Sequence, residues 1–316
     1  KSIPKHYASG MLFSIRSIST AVAALTLLQF PAQAAREPLR LAASSKWVVN
    51  YADDSCRLGR QFGEGKEKTL LFIDRFAPED TFKLTLAGRS MKLRQAPRRG
   101  ITLQFGPKEA EQKGSFFIGS LGKDSSGRAQ PALIMKGVIG FAENPDKKEG
   151  SAQRRVKLSK EAAKKQAAAI TYLRIASPLR KHVMLETGPM DKPLAALNKC
   201  IDELMTHWGI DLEKHASLLK PVKPANKIGS WMNSEDYPAK MLSKGAQGIV
   251  NFRLSVDDKG TPSACHIQMS TRPKEFDDAV CKAIMKRAKF TPAVGADGKA
   301  IASYFRSSAA FQMGRR

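Results

Sequence analysis

The chain carries almost none of the motifs that mark a catalytic centre. It has no CxxC pair, which leaves a redox thiol centre or a zinc knuckle without support. It has no HExxH, no GxSxG, no P-loop and no GxGxxG after a strand. Beyond the first thirty-odd residues the histidines are His182, His207, His215 and His266, and none stands at metal spacing with a second ligand. Gly59, Gly63 and Gly65, with Lys66 beside them, read as turn chemistry. Asp53-Asp54 and Asp257-Asp258 are acidic pairs inside turns, a hairpin pattern far more often than a catalytic dyad. No enzyme activity, cofactor or metal is expected; a role in catalysis stays open only for residues 47–210, and only if a cleft holds strongly perturbed ionisable groups.

Acid is also short. Fifty-three Lys and Arg face 29 Asp and Glu, a net charge of +24 over 316 residues. Such a charge attracts polyanions. Anionic cell wall or lipid surfaces suit an exported chain, and nucleic acid does not. Because the cations are spread over the whole sequence, a solvated basic surface is the plain alternative.

Long apolar runs are missing after residue 30. The one short run, Ile18 to Phe30, follows Arg16 and precedes Ala32-Gln33-Ala34. Residues 1–34 therefore read as an export signal cut after Ala34, with Met11 as an alternative start and an uncleaved anchor as the other reading. The expected location is the periplasm. Four cysteines in an exported chain favour disulfides. Cys265 falls on an expected strand and Cys281 on the helix that follows it, so these two are expected to pair. Cys56 and Cys200 make the remaining bridge.

The expected fold class is α+β in two domains. After a linker at 35–46, residues 47–221 form a β-rich, sandwich- or barrel-like domain. Its strands are expected at Trp47–Tyr51, Cys56–Phe62, Thr69–Phe76, Phe82–Leu86, Ile101–Phe105, Ser115–Ile118 and Leu133–Phe141. Asn144 to Gly150 is a polar loop, and Ser159 caps a basic helix to Ala169. Ile170–Ile175 and Val183–Glu186 are further strands. Helix 190–208 closes the domain, with Leu194, Leu197, Ile201, Leu204, Met205 and Trp208 on one face, Asp191 as its cap and Gly209 as its stop. Residues 222–236, with two prolines close together, are expected as an extended Pro/Lys linker.

Residues 237–316 read strand, hairpin, strand, helix, strand. Gly248 to Val256 alternates, with Ile249, Phe252, Leu254 and Val256 as anchors and one slip near Val250. Asp257-Asp258-Lys259-Gly260 is the turn, and Ala264–Ser270 the return strand. Phe276, Val280, Ile284 and Ala288 stand at helical spacing, and Ile301–Met313 is the last strand. The order and spacing of Tyr237-Pro238, Gly248-Ile249-Val250, Cys265-His266-Ile267 and Arg287-Ala288-Lys289-Phe290-Thr291-Pro292-Ala293 resemble the C-terminal domain of TonB-family energy transducers, over about 231–316. Thr271-Arg272-Pro273 departs from the family's small-residue turn. The resemblance implies a periplasmic domain that takes up a short outer-membrane receptor peptide, by strand addition, in receptor-linked nutrient transport. It also implies a longer proline-rich spacer than Leu219 to Lys227 provides.

The expected edge strand holds Ile301, Ser303, Tyr304, Phe305 and Arg306, with Arg306 either guarding the edge by its charge or simply solvated. The competing reading is an envelope assembly module that dimerises through this edge, its basic surface on cell wall or anionic lipid, without energy transduction.

Overall fold

The computed structural model describes residues 37–79, 81–94, 100–123, 127–139, 159–177, 179–270 and 274–313. The expected signal segment, the Asn144–Gly150 loop and the Thr271-Arg272-Pro273 turn lie outside them.

The first half runs β1 (Leu39–Leu41), β2 (Val48–Ala52), β3 (Ser55–Phe62), β4 (Thr69–Arg75), β5 (Thr81–Gly88), β6 (Ile101–Phe105), β7 (Gln112–Gly114), β8 (Phe116–Lys123), β9 (Ala129–Ile139), α1 (Lys160–Ala169), β10 (Leu173–Ile175), β11 (Val183–Leu185) and α2 (Asp191–His207). Two sheets form. One is antiparallel with order β2-β3-β4-β5-β9-β8, and the other has order β1-β11-β10-β6-β7. Alternation explains the shared core. Leu71 and Ile73 of β4, Leu84 and Leu86 of β5, and Leu173 and Ile175 of β10 all point into one apolar cluster. Ser159 caps α1, its side chain accepting from the Ala162 amide at 3.1 Å.

Helix α2 lays Leu197, Cys200, Ile201, Leu204 and Met205 on that cluster, and Gly209 stops it at φ +77°. Met190 holds the N-cap position without a side-chain bond, so Asp191 is the first helical residue and not the cap. Cys56 of β3 is bonded to Cys200 of α2, S–S 1.99 Å, closing a loop of 144 residues. The 35–46 stretch is not a free linker. β1 within it pairs in parallel with β11, and Ala43 bridges to Phe62.

The second half runs α3 (Leu212–Ala216), β12 (Lys223–Pro224), α4 (Ala239–Ser243), β13 (Gly248–Val256), β14 (Pro262–Ser270), α5 (Lys274–Arg287), β15 (Phe290–Thr291), β16 (Ala293–Val294), β17 (Ala300–Ile301) and β18 (Ser303–Phe311). The sheet β14-β13-β18 is antiparallel. Val250, Phe252, Leu254 and Val256 alternate without a slip and face Phe276, Val280 and Ile284 of α5 in a second apolar cluster. Ile249 takes the opposite face, so the expected slip near Val250 is absent. Cys265 is bonded to Cys281, S–S 1.98 Å.

Residues 222–236 do not form a free spacer either. β12 pairs with β15, and Val222 and Trp231 are buried in the second cluster. Trp231 Nε1 donates to Asn226 Oδ1 at 2.7 Å, and Asn226 Nδ2 donates to the Arg287 carbonyl at 2.8 Å. Two prolines at short spacing suggested an extended segment, but only Lys223–Pro224 is strand, and 3-10 turns follow at Ile228–Ser230 and Ser234–Asp236. Its backbone has a strand to pair with and its indole has a pocket to fill. The described residues from Pro38 onward form one compact unit.

Candidate functional site

The resemblance residues meet around the β13–β14 hairpin and the lower end of the sheet. In the turn, Asp257 Oδ1 accepts from the Lys259 and Thr261 amides at 3.0 and 2.7 Å. Gly260 follows at φ +80°, and its carbonyl accepts from the Phe290 amide at 3.0 Å. A Cβ on Gly260 would lie 2.0 Å from the Phe290 carbonyl oxygen and 3.3 Å from Pro292 Cδ. That position therefore needs glycine twice, for its dihedral and for the close approach. Phe290 and Pro292 lock the hairpin to the segment after α5. At the other end, Tyr237 donates its hydroxyl to the Ala246 carbonyl and sets its ring edge-on against Phe276 and Phe311. Pro238 starts α4, and Gly248 pairs with Phe311.

The sheet has two edges, β14 and β18. Along β14 the ladder to β13 shifts register twice, at Asn251/Phe252 and at Ser255/Val256. Along β18 it runs unbroken from Gly248↔Phe311 to Val256↔Ser303. A regular edge is the better template for an added strand, because bulges twist backbone groups out of line. Of the expected edge residues, Ser303, Tyr304, Phe305 and Arg306 lie on β18. Ile301 does not: it belongs to β17 and pairs with Ala293. Phe305 faces inward against Trp231 and Phe290.

Tyr304 and Arg306 point to the face without the helix, and there residues of the first half, with His215 of α3, cover them. Tyr304 stacks on His215 at 5.3 Å and meets Trp208 edge-on at 5.5 Å. His215 Nε2 lies 3.0 Å from Ser303 Oγ. Burial, with Glu79 nearby, pushes the Tyr304 phenol up to about 12.

Arg306 pairs with Glu79, donates to Gln268 Oε1 at 2.6 Å and sits 5.5 Å from the Phe76 ring centre. Arg306 is thus neither a free edge guard nor a solvated residue. Arg253 of β13, 3% exposed, reaches Asp54 Oδ1 at 3.0 Å and lies 4.0 Å over Trp208. Gln268 Nε2 donates to the Asp54 and Phe76 carbonyls at 3.2 and 3.1 Å. Burial lowers the pKa of His266, with a further push from Arg253.

Sequence reasoning missed this network because Asp54 and Glu79 are turn and loop acids, and Arg253 and Gln268 occupy strand positions that normally face water. The one available signal was the charge at Arg253, central in a strand and hard to protect if buried alone. Among the described residues no group of His, Cys, Asp or Glu is placed to hold a metal. What remains open on β18 is Ser307 to Ala310, an uncharged run in which Ser308 and Ala310 are exposed; Phe311 after it is buried.

One helix, α5, packs on a three-stranded antiparallel sheet whose regular edge, β18, has no further strand beyond it among the described residues. Residues 233–313 match the family described as Gram-negative bacterial TonB protein C-terminal. No curated protein matches the chain.

Proposed function

We propose that the C-terminal domain, working in the Gram-negative envelope, takes up an extended peptide from the periplasmic end of an outer-membrane receptor along β18. The observation that carries this reading is the unbroken β13–β18 register with no further strand beyond β18 among the described residues. Main-chain bonds supply affinity, and the small side chains of Ser307, Ser308, Ala309 and Ala310 let a second backbone lie close. The family match over the same residues supports the choice of partner.

The test is an NMR titration of the full chain, disulfides intact, with short peptides from receptor N-termini. Saturable shifts should run along Ser307 to Phe311 and survive moderate salt, because backbone bonds are not screened as exposed ion pairs are. N-methylation of alternate peptide amides should abolish binding in one phase of the alternation and spare it in the other. Equal loss in both phases, or no shifts on β18, overturns the proposal. Dimer signals in the absence of peptide favour the assembly reading, in which β18 pairs with a second copy.

A further inference from the structure

A second site opens in the first half, away from β18. An open cleft of about 380 Å3 is lined by Met91, Lys92, Leu93, Ile118, Pro131, Leu133 and Arg180. Its floor belongs to the core, since Met91 and Leu133 are each 1% exposed. Its wall is the edge strand β8. Ile118 is paired with Leu133 across β8 and β9, so both side chains point to the same face. Leu133 is covered there and Ile118 is not, at 60% exposure. Among the described residues the apolar layer of the domain is therefore unclosed at this corner.

The rim is cationic. The Arg180 amide donates to the Lys92 carbonyl at 3.0 Å, Leu93 bridges to Leu179, and Arg180 Nε donates to the Leu93 carbonyl at 3.3 Å. These bonds set the Lys92 and Arg180 backbones side by side, and both residues are exposed and line the cleft. Among the described residues neither Lys92 nor Arg180 has a carboxylate partner, whereas Arg174, Arg253, Arg287 and Arg306 each do. Adjacent unpaired cations repel each other, and an anion between them relieves that repulsion. The cleft lies in the size range of small-molecule sites, with a mainly apolar lining and few polar groups.

We infer that this cleft binds an anionic amphiphile with a single aliphatic chain. The chain would lie along Leu93 and Ile118, over a floor closed by Met91 and Leu133, and a phosphate or carboxylate head would meet Lys92 and Arg180. The one charged end matches the rim, and the apolar body matches a floor that water cannot satisfy.

The experiment uses the full chain and dodecyl phosphate below its micelle threshold, read by methyl NMR. Saturable one-to-one shifts are expected at the methyls of Met91, Leu93, Ile118 and Leu133. Lys92→Gln with Arg180→Gln should weaken binding about tenfold and leave the weaker binding of uncharged dodecyl maltoside unchanged. Should the double variant lose its dispersed spectrum, Lys92→Gln alone is the control, with an expected loss of about threefold. Laurate should bind at the same methyls. The inference is overturned if those methyls do not move, if inorganic phosphate alone binds as tightly, if dodecyl maltoside matches dodecyl phosphate, or if only anionic vesicles bind.

Discussion

Arg253 and Arg306 stand directly opposite each other across β13 and β18. Two like charges at a cross-strand pair destabilise a sheet. Here each has its own acid from the first half of the chain, Asp54 for Arg253 and Glu79 for Arg306. The sheet face is electrostatically incomplete without that half.

Removing Asp54 should therefore cost more than an ordinary surface substitution. Asp54→Ala leaves Arg253 buried without its carboxylate, and a loss of about 3 kcal/mol is expected in urea unfolding. Adding Arg253→Met, which keeps an unbranched side chain on Trp208, should restore at least half of it. If the two changes simply add, Asp54 and Arg253 are not coupled.

Gly260→Ala should destabilise by about 3 kcal/mol, since it combines a strained left-handed residue with a contact that the Phe290 carbonyl must move to relieve. Thermal unfolding of the variant reads this directly. Gly298→Ala is the control, because φ there is similar and no atom lies within 4 Å of the added Cβ. It should cost about 1 kcal/mol.

Asp236 should make stability depend on pH at the acid end. The hydrogen bond from Arg287, at 2.6 Å, holds its carboxyl below the ordinary value of 3.8, and the Asn233 amide adds to the effect. A depressed folded pKa means the contribution is complete above the unfolded pKa and is lost as pH falls through the folded one. Asp236→Asn should thus melt lower than the parent at pH 7, and the gap should close below about pH 4. A gap constant from pH 7 to pH 2 would show that charge is not the cause.

Trp231→Ala should cost about 4 kcal/mol, the usual range for a large aromatic removed from a core. The indole is 2% exposed and packs against Phe290 and Phe305. A fragment starting at Tyr237 should give a poorly dispersed amide spectrum, and one starting at Asp211 a well dispersed one. Equal spectra would mean that the 222–236 segment is dispensable.

The elements most legible in the sequence were those whose period is local. The Gly248–Val256 alternation, the Asp257–Gly260 turn and the Phe276–Ala288 spacing each report their own secondary structure, and their order carries the family resemblance. Cys265 and Cys281 were readable for the same reason, as neighbours on a strand and the helix packed on it. Trp231 and Val222 were not, because two nearby prolines signal extension and say nothing of what the segment leans on. Arg253, Gln268 and Arg306 were hidden more deeply. On a half-buried strand the polar positions point to water unless a distant segment covers them, and Asp54 and Glu79 lie some two hundred residues away.

The two disulfides lie on either side of this seam. Cys56–Cys200 staples the first apolar cluster, and Cys265–Cys281 ties β14 to α5 beside the second. No covalent cross-link joins Asp54 to Arg253, Glu79 to Arg306 or Trp208 to Tyr304. What holds β13 and β18 to the Cys56–Cys200 side is therefore noncovalent, a set of ion pairs and ring contacts lying between two covalently stapled clusters.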